Sequence, residues 1–315
     1  MSATGGEADQ IVAAVRAAGL IESGHPVIVM LSGGRDSVCL LDVTVQVAGA
    51  QAVSVLHVNY GLRESAAGDE QHCRRLCDAL GVELTVRKPG APTLGNLQAW
   101  ARDARYGAAA QLAIERGATV AAGHTATDQV ETILYRLASS PSRRALLGMR
   151  ARDGALVRPL LDFTREQTAD YCLARDLGWR DDETNETDKY ARGRVRHGLV
   201  PALREVHPGA ERNVLALSEI LRNEALVLDQ LVADVLQGGS TITLAALRQL
   251  PAALARLVVQ RLADAAQGRP APGCARRLED ILALSDSGTR HLDLPNGIRA
   301  TAVDGALMFG LTPIH

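Results

Sequence analysis

Val27-Ile28-Val29-Met30-Leu31-Ser32-Gly33-Gly34-Arg35-Asp36-Ser37 reads as a wholly apolar strand that ends in a glycine pair and runs directly into Asp36 to Val47, where apolar residues recur at helical intervals. A strand with no polar face must be covered on both sides, as in a parallel sheet. The two glycines let backbone N–H groups come close to an anion, and a helix start adds the positive end of its dipole. Ser32 and Ser37 add hydroxyl donors, so Ser32, Gly33, Gly34, Arg35, Asp36 and Ser37 form a candidate phosphate loop. Neither Gly-x-x-x-x-Gly-Lys-Ser/Thr nor Gly-x-Gly-x-x-Gly occurs, and the only lysines are Lys88 and Lys189, which disfavours kinase-type and dinucleotide-binding loops.

Downstream the unit recurs. Ala52 to Val58, Val82 to Arg87 and Ala118 to Ala122 read as strands, and Ala66 to Leu80, Leu97 to Arg116 and Gln129 to Leu137 as helices. This alternation predicts an α/β domain with a doubly wound, mainly parallel sheet, and places ligands beyond the carboxyl ends of the strands. Past about residue 208 the character changes. Leu217, Leu221, Leu228, Leu231 and Val235 make a helical stripe that stops at Gly238-Gly239; Leu244 to Leu250 and Ala252 to Ala266 are helical stretches parted by Pro251. The tail alternates over His291 to Leu294, Ile298 to Val303 and Ala306 to Phe309 around turn residues. The expectation is a catalytic domain over residues 1–208 and a smaller, mainly helical domain with a β tail over 209–315.

A chain of 315 residues with 47% hydrophobic content can bury one large core and a second, smaller one. The formal net charge of -2 gives no global field toward nucleic acid or membrane, so a polyanionic partner must meet a local patch. Arg143, Arg144, Arg150 and Arg152 supply one; Arg192, Arg194, Arg196, His197 and Arg204 supply another, beyond the acidic stretch Asp181 to Asp188. With 3% aromatic residues, a base-stacking platform is disfavoured. Five scattered cysteines fit a reducing cytoplasm better than a disulfide or zinc framework. No signal peptide or spanning run is visible, so a soluble, unprocessed cytoplasmic protein with no membrane partner is expected.

Asp128 and Glu131 are three apart near a helix start, so both carboxylates project from one face, where they either converge on a ligand or offset the helix dipole. Asp36 opens the helix after the loop; a hard cation such as Mg2+ takes carboxylate oxygens of this kind. Arg102 and Arg105 share a helix face, and His124 stands at a strand end.

In order, the loop, His57-Val58-Asn59-Tyr60-Gly61-Leu62-Arg63, Arg102-Asp103-Ala104-Arg105-Tyr106, Gly123-His124 through Glu131-Thr132, Arg158-Pro159-Leu160-Leu161 and the arginine-rich segment ending at Pro201 resemble the PP-loop family of ATP pyrophosphatases. Members cut ATP between the α- and β-phosphates and adenylate a carbonyl oxygen; within the family, the set resembles the lysidine-forming tRNA ligases, over roughly residues 25 to 215. The resemblance implies ATP and Mg2+, with Asp36 and Asp128 around the metal, Glu131 facing the amino-acid substrate, Arg105 on a phosphate or substrate, His124 as a further catalytic candidate and Val58 beside adenine. It implies that the wobble cytidine of tRNA(Ile) with a CAU anticodon is adenylated at its C2 oxygen and that free L-lysine then displaces AMP. Arg192, Arg194, Arg196, Arg143 and Arg144 become the expected RNA contacts, and a homodimer is left open. Thr125 and Thr127 stand where the family has histidine and aspartate, Tyr60 where it has histidine, and Gly193 where it has asparagine. Two rival readings are a PP-loop tRNA thiolase, for which Cys73 and Cys77 would have to leave an apolar helix face, and a non-catalytic ATP-dependent RNA-binding module, motivated by those departures.

Overall fold

The computed structural model describes residues 3–62, 66–90, 97–140, 142–180 and 191–313, and the chain divides into two compact units, Met1–Glu219 and Ile220–His315. Arg63 and the acidic stretch from Asp181 to Asp188 lie outside the described residues.

In the first unit β1 (Val27–Met30), β2 (Val53–Val58), β3 (Glu83–Arg87), β4 (Thr119–Ala121), β5 (Arg152–Asp153) and β6 (Leu156–Val157) form one sheet in the order β3-β2-β1-β4-β6-β5. Every pairing is parallel except that of β5 with β6. The helices are α1 (Ala3–Ala17), α2 (Arg35–Ala48), α3 (Ala66–Leu80), α4 (Leu97–Arg116), α5 (Ala126–Ser139), α6 (Arg143–Leu146), α7 (Arg165–Ala174), α8 (Ala191–Arg194) and α9 (Val200–Val206), with the start of α10 (Ala210–Leu236). All of β1 is buried, and its residues alternate between two cores, as the two-residue period of a strand requires. Val27, Val29 and Leu31 pack with Val38 and Leu41 of α2, whereas Ile28 and Met30 pack with Ala109, Leu112 and Ala113 of α4. This two-sided burial is why the opening stretch carries no polar residue until the loop.

β2 and β3 extend the sheet from one side of β1 and β4 from the other, so the strand order reverses between β1 and β4. That reversal opens a crevice at the carboxyl ends of both strands, the place where such sheets receive ligands. Gly123 follows β4 and is pressed against the first turn of α2: a Cβ there would lie 3.0 Å from the Asp36 carbonyl oxygen and 3.2 Å from the Ser37 nitrogen. Glycine is therefore needed where the two loops meet.

The second unit holds the end of α10, then α11 (Leu244–Gln249), α12 (Ala252–Gln267) and α13 (Leu278–Leu282), beside an antiparallel sheet in the order β7-β10-β9-β8. Its strands are β7 (Thr241–Thr243), β8 (Thr289–Leu294), β9 (Ile298–Val303) and β10 (Ala306–Leu311). β8, β9 and β10 form the expected meander, and β7, too short for a two-residue alternation to show in sequence, adds a fourth strand by pairing with β10. Val258, Val259 and Leu262 of α12 pack on Ile298, Ala300, Ala302 and Leu307. On α10, Leu221, Leu228 and Val235 of the leucine stripe are half-buried beside the buried Ala225 and Val232, whereas Leu217 and Leu231 are about half exposed. Among the described residues, no helix is long and apolar enough to cross a membrane.

Candidate active site

The loop after β1 is knotted by its own hydroxyls. Ser37 Oγ donates to the Gly34 carbonyl at 2.7 Å, the Ser32 N–H donates to Ser37 Oγ at 3.1 Å, and the Gly34 N–H to Ser32 Oγ at 3.3 Å. Gly33 has φ +89°, a conformation that side-chain-bearing residues rarely adopt. Gly34 precedes α2 and offers no side-chain cap, so the first-turn N–H groups present the usual helix-start arrangement for an anion. His57, buried at the end of β2, holds its Nδ1 2.9 Å from the Leu31 carbonyl and fixes the strand end from which the loop departs. The β1–β2 register stops at Met30 and Leu56, whereas β2 stays paired with β3 as far as Val58 and Arg87. Val58 thus projects past β1, beside the crevice.

The three acidic candidates converge, and they do so through arginines. Arg165, on α7, places Nε 3.4 Å from Asp36 Oδ2, Nη2 3.1 Å from Asp128 Oδ1 and Nη1 3.7 Å from Glu131 Oε1. Glu131, whose side chain is fully buried, also accepts from Arg196 Nε and Nη2 at 2.6 and 3.1 Å and from Arg192 Nε at 2.9 Å, while Arg192 Nη2 reaches Asp128 Oδ1 at 2.8 Å. Arg192 belongs to α8 and Arg196 to the π-helical turn Val195–Leu199 that follows it. These two, expected to face RNA, pair here with the acids. Arg194 and Arg144 are exposed, and Arg143 is half-buried.

Burial raises the Asp36 carboxyl above its ordinary value, with the charge of Asp128 acting in the same sense; the hydrogen bond from Thr168 Oγ1, 2.5 Å long, and the Arg165 charge pull against it. Burial acts on Asp128 in the same upward sense, but Arg192 and Arg165 outweigh it and leave Asp128 below the usual carboxylate range. The two threonine departures have structural work. Thr125 caps α5 in a reciprocal box with Asp128, whose Oδ2 accepts from the Thr125 N–H at 3.0 Å; Thr127 Oγ1 accepts from the Arg165 N–H at 3.1 Å and ties α5 to α7.

Arg165 and Thr168 lay outside the set of residues singled out in the sequence. The available signal was Thr164-Arg165-Glu166-Gln167, a capping box that starts α7 and points its first turn at Asp36.

A second group surrounds Tyr106. The guanidinia of Arg102 and Arg105 lie 4.7 and 5.4 Å from its ring centre, and its hydroxyl is 3.5 Å from His124 Nε2. Burial holds the His124 ring down to about 4, so it is neutral at pH 7. Its Nδ1, like Arg105 Nε, is buried with no hydrogen-bond partner among the described residues.

All five cysteines are free and buried. Burial pushes both Cys73 and Cys77 up to about 12, which suits a helix core and not sulfur transfer by a thiolate. Among the described residues, no group of three or more His, Cys, Asp or Glu side chains is placed to hold a metal ion.

A profile of the PP-loop domain family matches residues 8–203. The tRNA(Ile)-lysidine synthase of Solibacter usitatus is 36% identical over 263 residues, covering 79% of this chain and 59% of that protein. The Thermus thermophilus enzyme of the same name is 33% identical over 293 residues, 90% of this chain and 56% of that one. The chain therefore spans less than two thirds of the length of either. Against the Thermobifida fusca tRNA(Ile)-lysidine synthase it is 33% identical over 308 residues, covering 91% of this chain and 92% of that protein. Among solved structures, a U34-tRNA thiolase from Methanococcus maripaludis superposes with a TM-score of 0.56 at 15% identity, over 68% of this chain and 78% of that one, a likeness of fold alone.

Proposed function

Because this chain belongs to the PP-loop domain family, we propose that it is an ATP-dependent ligase that joins free lysine to C2 of the wobble cytidine of tRNA(Ile) with a CAU anticodon. The observation that carries this reading is the convergence of Asp36, Asp128 and Glu131 on one guanidinium beside the Ser32–Ser37 loop, at the crevice where the strand order reverses. The names carried by the relatives support the choice of RNA and amino acid.

The loop N–H groups and the start of α2 bind the β- and γ-phosphates, and the free peptide edge at Val58 meets adenine. Asp36 and Asp128 fit Mg2+: both present oxygen, both already share one cation, and Mg2+ takes only one or two protein carboxylates when phosphates and water complete its shell. Bound there, Mg2+ would offset charge on the departing pyrophosphate. The cytidine C2 oxygen bonds to the α-phosphorus as the α–β bridge breaks, and Arg105 steadies a phosphate oxygen. The lysine ε-amine, with a reference pKa of about 10.4, must lose a proton before it attacks. Glu131 holds that ammonium where Arg192 now sits. C2–N then forms as C2–O breaks, and AMP leaves.

Protein incubated with ATP, labelled lysine and the tRNA should transfer lysine into RNA and release one pyrophosphate per transfer. Binding of RNA without either product would instead favour a non-catalytic module. Asp36→Asn should abolish pyrophosphate release and leave RNA affinity within a few-fold; unchanged turnover would exclude a role for Asp36 at the metal.

A further inference from the structure

Arg102, Arg136 and Arg158, from α4, α5 and the segment after β6, act on one another. None of them makes an ion pair with any carboxylate of the described residues, although the chain as a whole carries 36 acidic against 34 basic side chains. Tyr106 marks the centre, with Arg102 4.7 Å from its ring centre. Depth is graded. Arg102 is exposed at the rim, Arg136 is half-buried, and Arg158 is 6% exposed at the floor, its Nε buried with no partner. Arg158 spends Nη1 on the Arg150 carbonyl at 2.6 Å and also meets the Tyr106 side chain, and Arg136 spends Nη1 on the Gly148 carbonyl at 2.8 Å, which leaves other donors unspent among the described residues.

Both buried guanidinia are held below their ordinary values, first by burial; Arg102 and Arg158 press on Arg136, and Arg102 presses on Arg158, with Asp153 the acid that acts against this. Buried cations left uncompensated are costly, so a fold that keeps Arg136 and Arg158 together beneath Arg102 is poised for an anion that relieves them. Arg102 packs on the Tyr106 ring, and the Tyr106 hydroxyl lies 3.5 Å from His124 Nε2. The cluster therefore borders His124 through Tyr106.

We infer that Arg102, Arg136 and Arg158 form a phosphodiester site that grips the RNA backbone next to the base held at the acidic centre. This rests on the RNA substrate proposed above. A second phosphate anchor beside His124 would fix the nucleotide's register while the loop holds ATP, since backbone contacts position a nucleic acid without reading its sequence.

Arg102→Gln is the test, because the residue is exposed and its loss leaves the Gly148 and Arg150 contacts intact; a melting curve checks folding. The probes are an unmodified anticodon stem–loop RNA with a CAU loop and, separately, MgATP. The expected result is weaker RNA binding, by about 5- to 30-fold at low salt, with the slope of log K against log salt reduced by about one and MgATP affinity unchanged. Arg102→Lys should keep the salt slope, since it keeps the charge. Loss of MgATP affinity with RNA binding intact would assign the cluster to the triphosphate and overturn the inference, as would a variant that changes neither. If the wild-type protein itself binds no RNA, the proposed function fails as well; if it binds and the variant matches it, only this site fails.

Discussion

Glu131→Gln should destabilise the first unit by an amount that the geometry sets. Glu131 is fully buried and accepts three charge-assisted bonds, from Arg196 Nε, Arg196 Nη2 and Arg192 Nε. Glutamine keeps one acceptor oxygen and turns an NH2 group toward donors, so roughly two of those bonds go, at about 1.5 kcal/mol each. The gross loss is about 3 kcal/mol, but water recovers part of it: Arg192 is 44% exposed and Arg196 21%, and screening discounts the pair accordingly, to about 2 kcal/mol net. Trp100 and Trp179, the only tryptophans, both lie in the first unit, so their fluorescence follows that unit alone during urea unfolding. With a denaturant slope of about 2 kcal/mol/M, the midpoint should fall by about 1 M. A shift under about 0.2 M would mean that the arginines do not hold Glu131 in the folded protein, and the arginine-closed acidic centre would be refuted.

His124 should make the first unit acid-sensitive. Its folded value of about 4 lies below the unfolded value of about 6.5, so between those limits the unfolded chain takes up a proton that the folded chain refuses, and stability falls as pH drops from about 6.5 to about 4, by up to about 3 kcal/mol. His124→Gln should flatten that part of the urea-midpoint profile; parallel profiles would count against a buried neutral ring. Gly123→Ala sets a methyl group 3.0 Å from the Asp36 carbonyl oxygen, against backbone that cannot rotate away, and should cost about 1–3 kcal/mol while weakening nucleotide binding. A calorimetric titration with MgATP showing wild-type affinity would mean that the two loops part without disturbing the site.

The fold was legible because its signals are local and repeated. An apolar run of the β1 kind has to be covered on both faces, and the alternation of such runs with amphipathic helices leaves few topologies open. Elements with weak periodicity escaped. The strands β5, β6 and β7 are two or three residues long, too short for a two-residue alternation to register. α7 has little amphipathic bias, yet it carries Arg165 and Thr168 into the acidic centre, and only its capping box announced it. Thr125 and Thr127 looked like losses from a catalytic motif because a motif is read as a string; in space each makes a hydrogen bond that sets the start of a helix.

Charge partnership was the least legible property, because a cluster of arginines looks alike whether its counter-ion is a carboxylate or a phosphate. Arg192 and Arg196 are four apart and meet Asp128 and Glu131, three apart, so the spacing suits a pair of facing helical segments as well as it suits an RNA groove. The two arginines are not equivalent, however. Arg196 grips Glu131 through two donors at 21% exposure, whereas Arg192 divides its donors between Glu131 and Asp128 at 44% exposure. Exchange of a carboxylate for a phosphate is cheapest where water already reaches the guanidinium, so under the proposed function Arg192 should be the one to yield to RNA and free Glu131 for an incoming ammonium. Arg192→Gln should then lower the salt slope of RNA binding by about one and Arg196→Gln should not; the opposite ranking would show that the exposed arginine is bound to the protein more firmly than its solvation allows.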